Sequence, residues 1–385
     1  MEDAKTPPPL PPATLGALGF VALLTGLLGF GGGFVVIGRI HRYVVVERKW
    51  ISEEAFLEHT GIASALPGTT AGNLYTLLGA TLCGPLGATV ATVFFLLPSV
   101  ILMIAFGVFY DALRDVGGLA AFFEGMGAAV APVILAVAIS LRTRALRTPL
   151  PWVVAALSFA VLVTKLLPLV AVVLIAGFLG AARSPKAPAA RAFPFALGLG
   201  GAAAATVVGS VSALTLLLVF ARIGIATFGG GYAMIPEIAH EVTSRHWMDE
   251  RSFADAIAFG QITPGPVAIS ATFVGYRVGG PLGALAATVG IFGPPFALCV
   301  IAARSLSAFR TNRFVRGFLE GVAPAVVGIV AAAAFSVARV AIIDVRTAVL
   351  AAICMVVLVA KPKTSALPLL FGAAIAGFVW KHFAP

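Results

Sequence analysis

The stretch FGGGFVVI at Phe30–Ile37 returns as FGGGYAMI at Phe228–Ile235, with three consecutive glycines inside an apolar run on both occasions. A glycine in a helix interior costs roughly 1 kcal/mol relative to alanine, so each triplet reads as a deliberate interruption. An offset of 198 residues carries Phe30 onto Phe228. An offset of 197 pairs Trp50 with Trp247, Phe56 with Phe253, and LPG at Leu66–Gly68 with TPG at Thr263–Gly265. An offset of 196 pairs GPLGA at Gly84 with GPLGA at Gly280, Pro98 with Pro294, and Glu124-Gly125 with Glu320-Gly321. So many landmarks near one offset identify a duplication. The homologous halves are 15–182 and 213–381, joined by a linker over 183–212 and preceded by a proline-rich tail, 1–14, expected to be disordered.

Of the 385 residues, 60% are hydrophobic and only 11% charged, and the mean hydropathy is +1.03. No soluble fold hides that much apolar surface, and runs of about 20 apolar residues recur along the chain. The fold class is therefore an all-α polytopic membrane protein. Each half carries six apolar segments, which in the first are 15–38, 56–82, 86–110, 118–141, 150–164 and 167–182. A further span is expected at 193–209. If that linker crosses, the chain has about thirteen transmembrane segments in two inverted repeats. About fifteen Lys/Arg, with Arg245 and Arg251 among them, then fall on the N-terminal side against about nine opposite. If it does not cross, the split becomes about ten against fourteen, so the inverted arrangement with a cytoplasmic N-terminus is favoured.

The net charge of +10 does not make a nucleic-acid binder, because the basic residues are scattered through short loops. Cys83, Cys299 and Cys354 have no metal-ligand spacing and read as packing residues. No cofactor and no metal are expected; the expected surroundings are membrane lipid, and a homodimer is compatible with the chain. His41, His59, His240 and His246 stand among charged residues and read as solvated, while Glu124 and Glu320 read as carboxylates favouring helix starts.

The two PG pairs, Pro67-Gly68 and Pro264-Gly265, remove amide donors inside the next apolar segment. In lipid such breaks are tolerated only where protein buries them or where they line a watery cavity. Paired interruptions at matching positions of two repeats point to a central site built from discontinuous helices. The start of a half-helix offers free N–H donors and partial positive charge, and glycines leave those amides uncovered, so the ligand is an anion. Two cations inside apolar segments, Arg222 and Arg277, reinforce that sign. The candidate binding residues are Gly31, Gly32 and Gly33, Gly229, Gly230 and Gly231, and both PG pairs, with Arg222 and Arg277.

ARIGIATFGGGYAMIPEIAHEV at 221–242, then HWMDERSF at 246–253 and AFGQITPGPVAISATFVGYRVGGPLGALAATVG at 258–290, resemble the signature of the chromate ion transporter family in its two-domain long form. The resemblance covers nearly the whole chain. It implies oppositely oriented halves and export of chromate, a look-alike of sulfate, across the bacterial inner membrane, with chromate resistance as the outcome. By position it places the family's cation on Arg222, its glutamine on Gln261 and its arginine on Arg277. The polar position five residues after the PG glycine is Asn73 in the first half and Ser270 in the second, where the family pattern has asparagine. The first half departs further, with Ser64 for glutamine, Thr69 for the second proline, Leu24 for the cation and Thr81 for the arginine.

No G-x-x-x-x-G-K-[ST] occurs, so the chain carries no nucleotide motor and the expectation is a secondary transporter. Transport or exchange of sulfate, molybdate or another small anion is the alternative within that class. A membrane-embedded enzyme acting on lipid phosphates is the alternative outside it, opposed by the lack of an acid pair, a metal-ligand cluster or a nucleophile beside a base.

Overall fold

A computed structural model of the chain describes residues 11–30, 33–115, 119–183, 211–228, 230–304, 312–361, 364 and 366–383. Gly31, Gly32, Gly229, the 193–209 segment and most of the N-terminal tail lie outside them. The described residues form helices and the turns that join them. In the first half α1 is Leu15–Leu28, α2 Gly33–His41 running into a π-helical turn at Arg42–Glu47, α3 Glu53–Ala65, α4 Thr70–Asp115, α5 Leu119–Ala145, α6 Pro149–Val163 and α7 Leu169–Arg183. In the second α8 is Ala213–Ala226, α9 Ile235–Ser244 after a 3-10 turn at Gly231–Met234, α10 Glu250–Ile262 and α11 Ser270–Ala303 after a 3-10 turn at Val267–Ile269. These are followed by α12 at Arg313–Ala341, α13 at Val345–Ala360 and α14 at Ala366–Phe383.

Both α4 and α11 are bent double, and their dihedrals match. Cys83 sits at φ −136°, ψ 20° and Gly84 at φ 66°, ψ −162°; Gly279 and Gly280 repeat this at −136°, 20° and 62°, −156°. The second residue of each pair needs the left-handed region, which glycine enters without steric cost, and the proline that follows starts the next helix. The reversal brings Thr76 Oγ1 to 2.8 Å from Thr92 and Thr272 to 2.7 Å from Thr288. Sixteen residues of straight helix would hold such pairs about 24 Å apart.

The segments 15–38 and 56–82, each expected as one passage, also fold back. His59 Nε2 lies 2.9 Å from Thr81 Oγ1, so α3 and the first arm of α4 are antiparallel about a tip at 66–69. Cys83 Sγ donates to Ala13 O at 3.3 Å, which puts the start of α1 beside the α4 bend, and His41 meets Glu53 at 2.6 Å, which returns the end of α2 to the same end of the molecule. In the second half Arg222 of α8 reaches Glu237 and Glu241 of α9, the signature of the same reversal. Each half thus inserts two helical hairpins from one end. The 13 residues of α3 rise only about 20 Å, too little to cross 30 Å of hydrocarbon.

The halves are inverted. The second arm of α4 ends with Gly107 against Tyr276 and Asp111 bonded to Arg277, beside the bend of α11 at the far end. Among the described residues four helices are long and apolar enough to cross a membrane, within Thr70–Ala112, Ala121–Thr143, Val267–Ala303 and Arg313–Ala341, with shorter apolar helices around them. Exposed Phe20, Ile101, Phe109, Phe178, Val289 and Ile353 give the flank its apolar surface. The halves also exchange partners: Gly125 of α5 packs on Ala373 of α14, and Gly321 of α12 packs on Ala176 of α7, backbone to backbone. Close approach of that kind is what small residues supply when lipid removes the hydrophobic drive between helices.

The hairpins reassign the loop charges. Arg39, Arg42, Arg48 and Lys49 return to the end where α1 begins, while Arg245 and Arg251 stand at the opposite end, contrary to the sequence expectation. His59 is buried, 4% exposed, and bonds Ala55 O as well as Thr81. It is not a solvated residue, because α3 lies inside a hairpin. Glu124 pairs with Arg251 across the halves and Glu320 lies 3.6 Å from Arg316 within its helix, so neither works as a helix cap.

A candidate anion site where four interrupted helices meet

The tips of the opposed hairpins meet in the interior and bond each other reciprocally. Gly68 N–H donates to Thr227 O at 2.5 Å and Gly265 N–H donates to Gly29 O at 3.1 Å. Each bond joins the PG tip of one half to the end of the first helix of the other, and the pairs are equivalent by the duplication. Gly68 and Gly265 hold φ +103° and +110°, conformations that L side chains rarely adopt. Ser99 Oγ bonds Pro264 O at 2.5 Å, while its counterpart Pro295 packs on Gly68. The sequence-predicted Pro67, Gly68, Pro264 and Gly265 are therefore brought together.

Gly230, at φ +97°, precedes the 3-10 turn that Gly231 starts, and a methyl built on Gly231 would lie 3.4 Å from the Thr69 methyl and 3.0 Å from Ala268 N. Gly33 is the first residue of α2. Gln261, one turn before the second PG, accepts from Tyr232 Oη at 3.2 Å.

Asn73 and Ser270 brace the tips from within. Asn73 Nδ2 lies within bonding reach of the carbonyls of Pro67 at 2.7 Å, Ala63 at 3.1 Å and Leu66 at 3.4 Å. Ser270 Oγ donates to Val267 O at 2.9 Å. Serine suffices in the second half because the 3-10 turn at Val267–Ile269 already closes part of that tip.

Arg222 projects from α8 onto two buried carboxylates. Its Nη2 donates to Glu237 Oε1 at 3.3 Å and to Glu241 Oε1 at a shorter contact. Arg245 Nε holds the other oxygen of Glu241 at 2.6 Å, and Leu169 N–H donates to Glu237 Oε2 at 3.3 Å. Two cations and two anions make the cluster neutral as it stands. Arg277 stands apart from the tips, seven residues or about 10 Å along α11 from Ser270. Its Nη1 and Nη2 grip Asp111 at 2.8 and 3.0 Å, and the guanidinium lies 5.1 Å over the Tyr110 ring.

Among the described residues, three buried side-chain atoms lack a hydrogen-bond partner: Thr69 Oγ1, Gln261 Nε2 and Arg222 Nε. Two are obligate donors and the third can donate, and a buried donor without an acceptor costs about 1–3 kcal/mol. Glu237, Glu241 and Tyr232 are not singled out by sequence reasoning, and Thr69 enters there only as a departure from the family pattern. The signal for the two acids was there: a cation inside an apolar segment needs a partner, and PEIAHE places two carboxylates one turn apart nearby.

The comparisons with known proteins agree with this architecture. A family model described as Chromate transporter matches residues 16–181 and again 214–378, the two halves. A chromate transport protein of Pseudomonas aeruginosa is 33% identical over 98% of this chain and 95% of its own length. One of Cupriavidus metallidurans is 31% identical, covering 96% and 94%, and a probable chromate transport protein of Synechococcus elongatus is 31% identical, covering 93% of each. No solved structure matches. With the family model filling both halves and relatives aligned nearly end to end, the chain belongs to the chromate transporter family.

Proposed function

We propose that this chain is a secondary transporter that exports chromate, or a kindred tetrahedral oxyanion, from the cytoplasm across the bacterial inner membrane, and so confers chromate resistance. The observation that carries the reading is the meeting of four interrupted helices beside buried donors that have no acceptor. A doubly charged tetrahedral anion offers acceptors in all directions, and uncovered amides with Gln261 Nε2, Thr69 Oγ1 and Arg222 Nε can replace its water. The glycines 31–33 and 229–231 let it approach the backbone. The PG tips at 67–68 and 264–265 supply the breaks, and Asn73 and Ser270 hold those breaks in shape. Arg277, paired with Asp111 at the far end, acts on the route rather than at the centre.

Inverted halves that meet at one interior site suit alternating access, in which one repeat rocks against the other. The voltage supplies the drive, since each negative charge leaving a cell that is negative inside gains about 2.3 kcal/mol per 100 mV. The basic loops support a cytoplasmic N-terminus: Arg39, Arg42, Arg48 and Lys49 share an end with Arg142, Arg147, Arg183, Arg313 and Lys361. The family and the site favour transport over lipid-phosphate chemistry. Chromate flux into proteoliposomes at an imposed potential, with sulfate and molybdate as competitors, tests the reading. Flux should rise with the potential and fall in Arg222→Ala, and the absence of any oxyanion flux would overturn it.

A further inference from the structure

The two carboxylates that hold Arg222 are not equivalent. Glu241 keeps a second cation, Arg245, whatever Arg222 does. Among the described residues Glu237 bonds Arg222 and one amide N–H, and it is 4% exposed. It also lines a cavity of about 370 Å³ bounded by the α6–α7 loop and by α9, α10 and α12. Besides Arg222 and Glu241, the titratable groups facing it are His240 on its own helix, Lys165 on the loop, Glu250 on α10 and Arg339 on α12. The cavity is polar enough to hold water and to pass a proton.

An oxyanion that accepts from Arg222 competes for the guanidinium with these carboxylates. Drawn to the anion, Arg222 leaves Glu241 paired with Arg245 and leaves Glu237 a buried charge with a single amide for company. A carboxylate in that position is neutralised by taking a proton rather than by remaining ionised. We propose that Glu237 is a proton-binding site linked to the oxyanion site: anion binding at Arg222 is accompanied by transfer of one proton from cavity water to the Glu237 carboxylate. Release of the anion returns Arg222 to Glu237, and the proton leaves. This inference rests on the oxyanion reading of Arg222.

The test uses the purified full-length chain in nanodiscs, in weak buffer at mildly alkaline pH where chromate stays fully deprotonated, with molybdate as a second probe. The unsubstituted chain should take up about one proton per anion bound, and its affinity should weaken about tenfold per pH unit between the pKa of the linked group in the free chain and its pKa in the anion-bound chain. Glu237→Gln should bind the anion with no proton uptake and with pH-independent affinity, whereas Glu241→Gln should still take up the proton. Anion binding without proton uptake in the unsubstituted chain overturns this inference alone, as does uptake that survives in Glu237→Gln. No anion binding at all overturns the oxyanion reading and this inference with it. Should Glu237→Gln fail to fold, the proton count of the unsubstituted chain decides.

Discussion

Gly68→Ala probes the meeting of the hairpin tips with a single methyl group. At φ +103° the L side chain is strained, at a cost of about 1–3 kcal/mol. The added methyl would also sit 2.6 Å from Pro295 Cβ and 2.9 Å from Asn73 Oδ1, where ordinary contact is 3.4–4 Å. The tip must therefore move by about 1 Å, because close-packed protein transmits such a clash instead of absorbing it. That displacement breaks the 2.5 Å bond to Thr227 O and misplaces the amides of the proposed anion site. Misplacement by 1 Å at a preorganised site costs on the order of 100-fold. Gly84→Ala is the control: φ is +66°, but no described residue lies within 4 Å of the added methyl. Both variants should lose thermal stability in detergent, Gly68→Ala the more, while chromate flux in proteoliposomes collapses in Gly68→Ala and survives in Gly84→Ala. Flux at the unsubstituted level in Gly68→Ala would refute the placement of this tip at the site.

Other variants test other joints of the structure. Asn73→Ala removes the brace across the first tip and should cost about 1–3 kcal/mol, read as a lowered melting temperature; Ser270→Ala should cost less, the 3-10 turn remaining. Arg277→Asp should slow flux, and the charge-swapped pair Arg277→Asp with Asp111→Arg should restore it if the ion pair is what matters. Gly321→Leu should prevent accumulation of folded protein, because the side chain would occupy the backbone of Ala176. At the start of α13, Asp344 caps the helix, and its bonds from Thr347, first the backbone N–H and then the hydroxyl, with Arg346 beside them, hold its pKa below the ordinary value. The stability it contributes is full above the unfolded pKa and disappears as pH falls through the folded one. Asp344→Asn keeps the capping oxygen and loses the charge, so it should flatten the acid limb of the stability profile and cost about 0.3–1 kcal/mol at neutral pH.

The duplication, the all-helical membrane class and the interruptions were legible in the sequence because glycine triplets and proline-glycine pairs inside apolar runs have few other uses. The direction of the chain after each break was not. Hydropathy is the same for a helix that crosses and one that turns back, so 15–38 and 56–82 read as passages. The short interval between Pro67-Gly68 and Gly84-Pro85 was the available clue, since the 70–82 arm is too short to span hydrocarbon. Misjudging those returns also put Arg39 and Arg245 at the wrong ends. Arg222 was found from its cost in an apolar segment, but its carboxylate partners stand 15 and 19 residues away across a break. Arg277 looked like an anion ligand for the same reason as Arg222. Its partner Asp111 belongs to the other half, 166 residues away, and no local pattern announces that pairing.

The most direct test is anomalous diffraction at the chromium edge from crystals of the full chain soaked in chromate. The account predicts one strong peak among the hairpin tips, within hydrogen-bond reach of Gln261 Nε2 and beside Thr69 and Gly231. A chromium peak in the cavity between Lys165 and Arg339, with none among the tips, would contradict it.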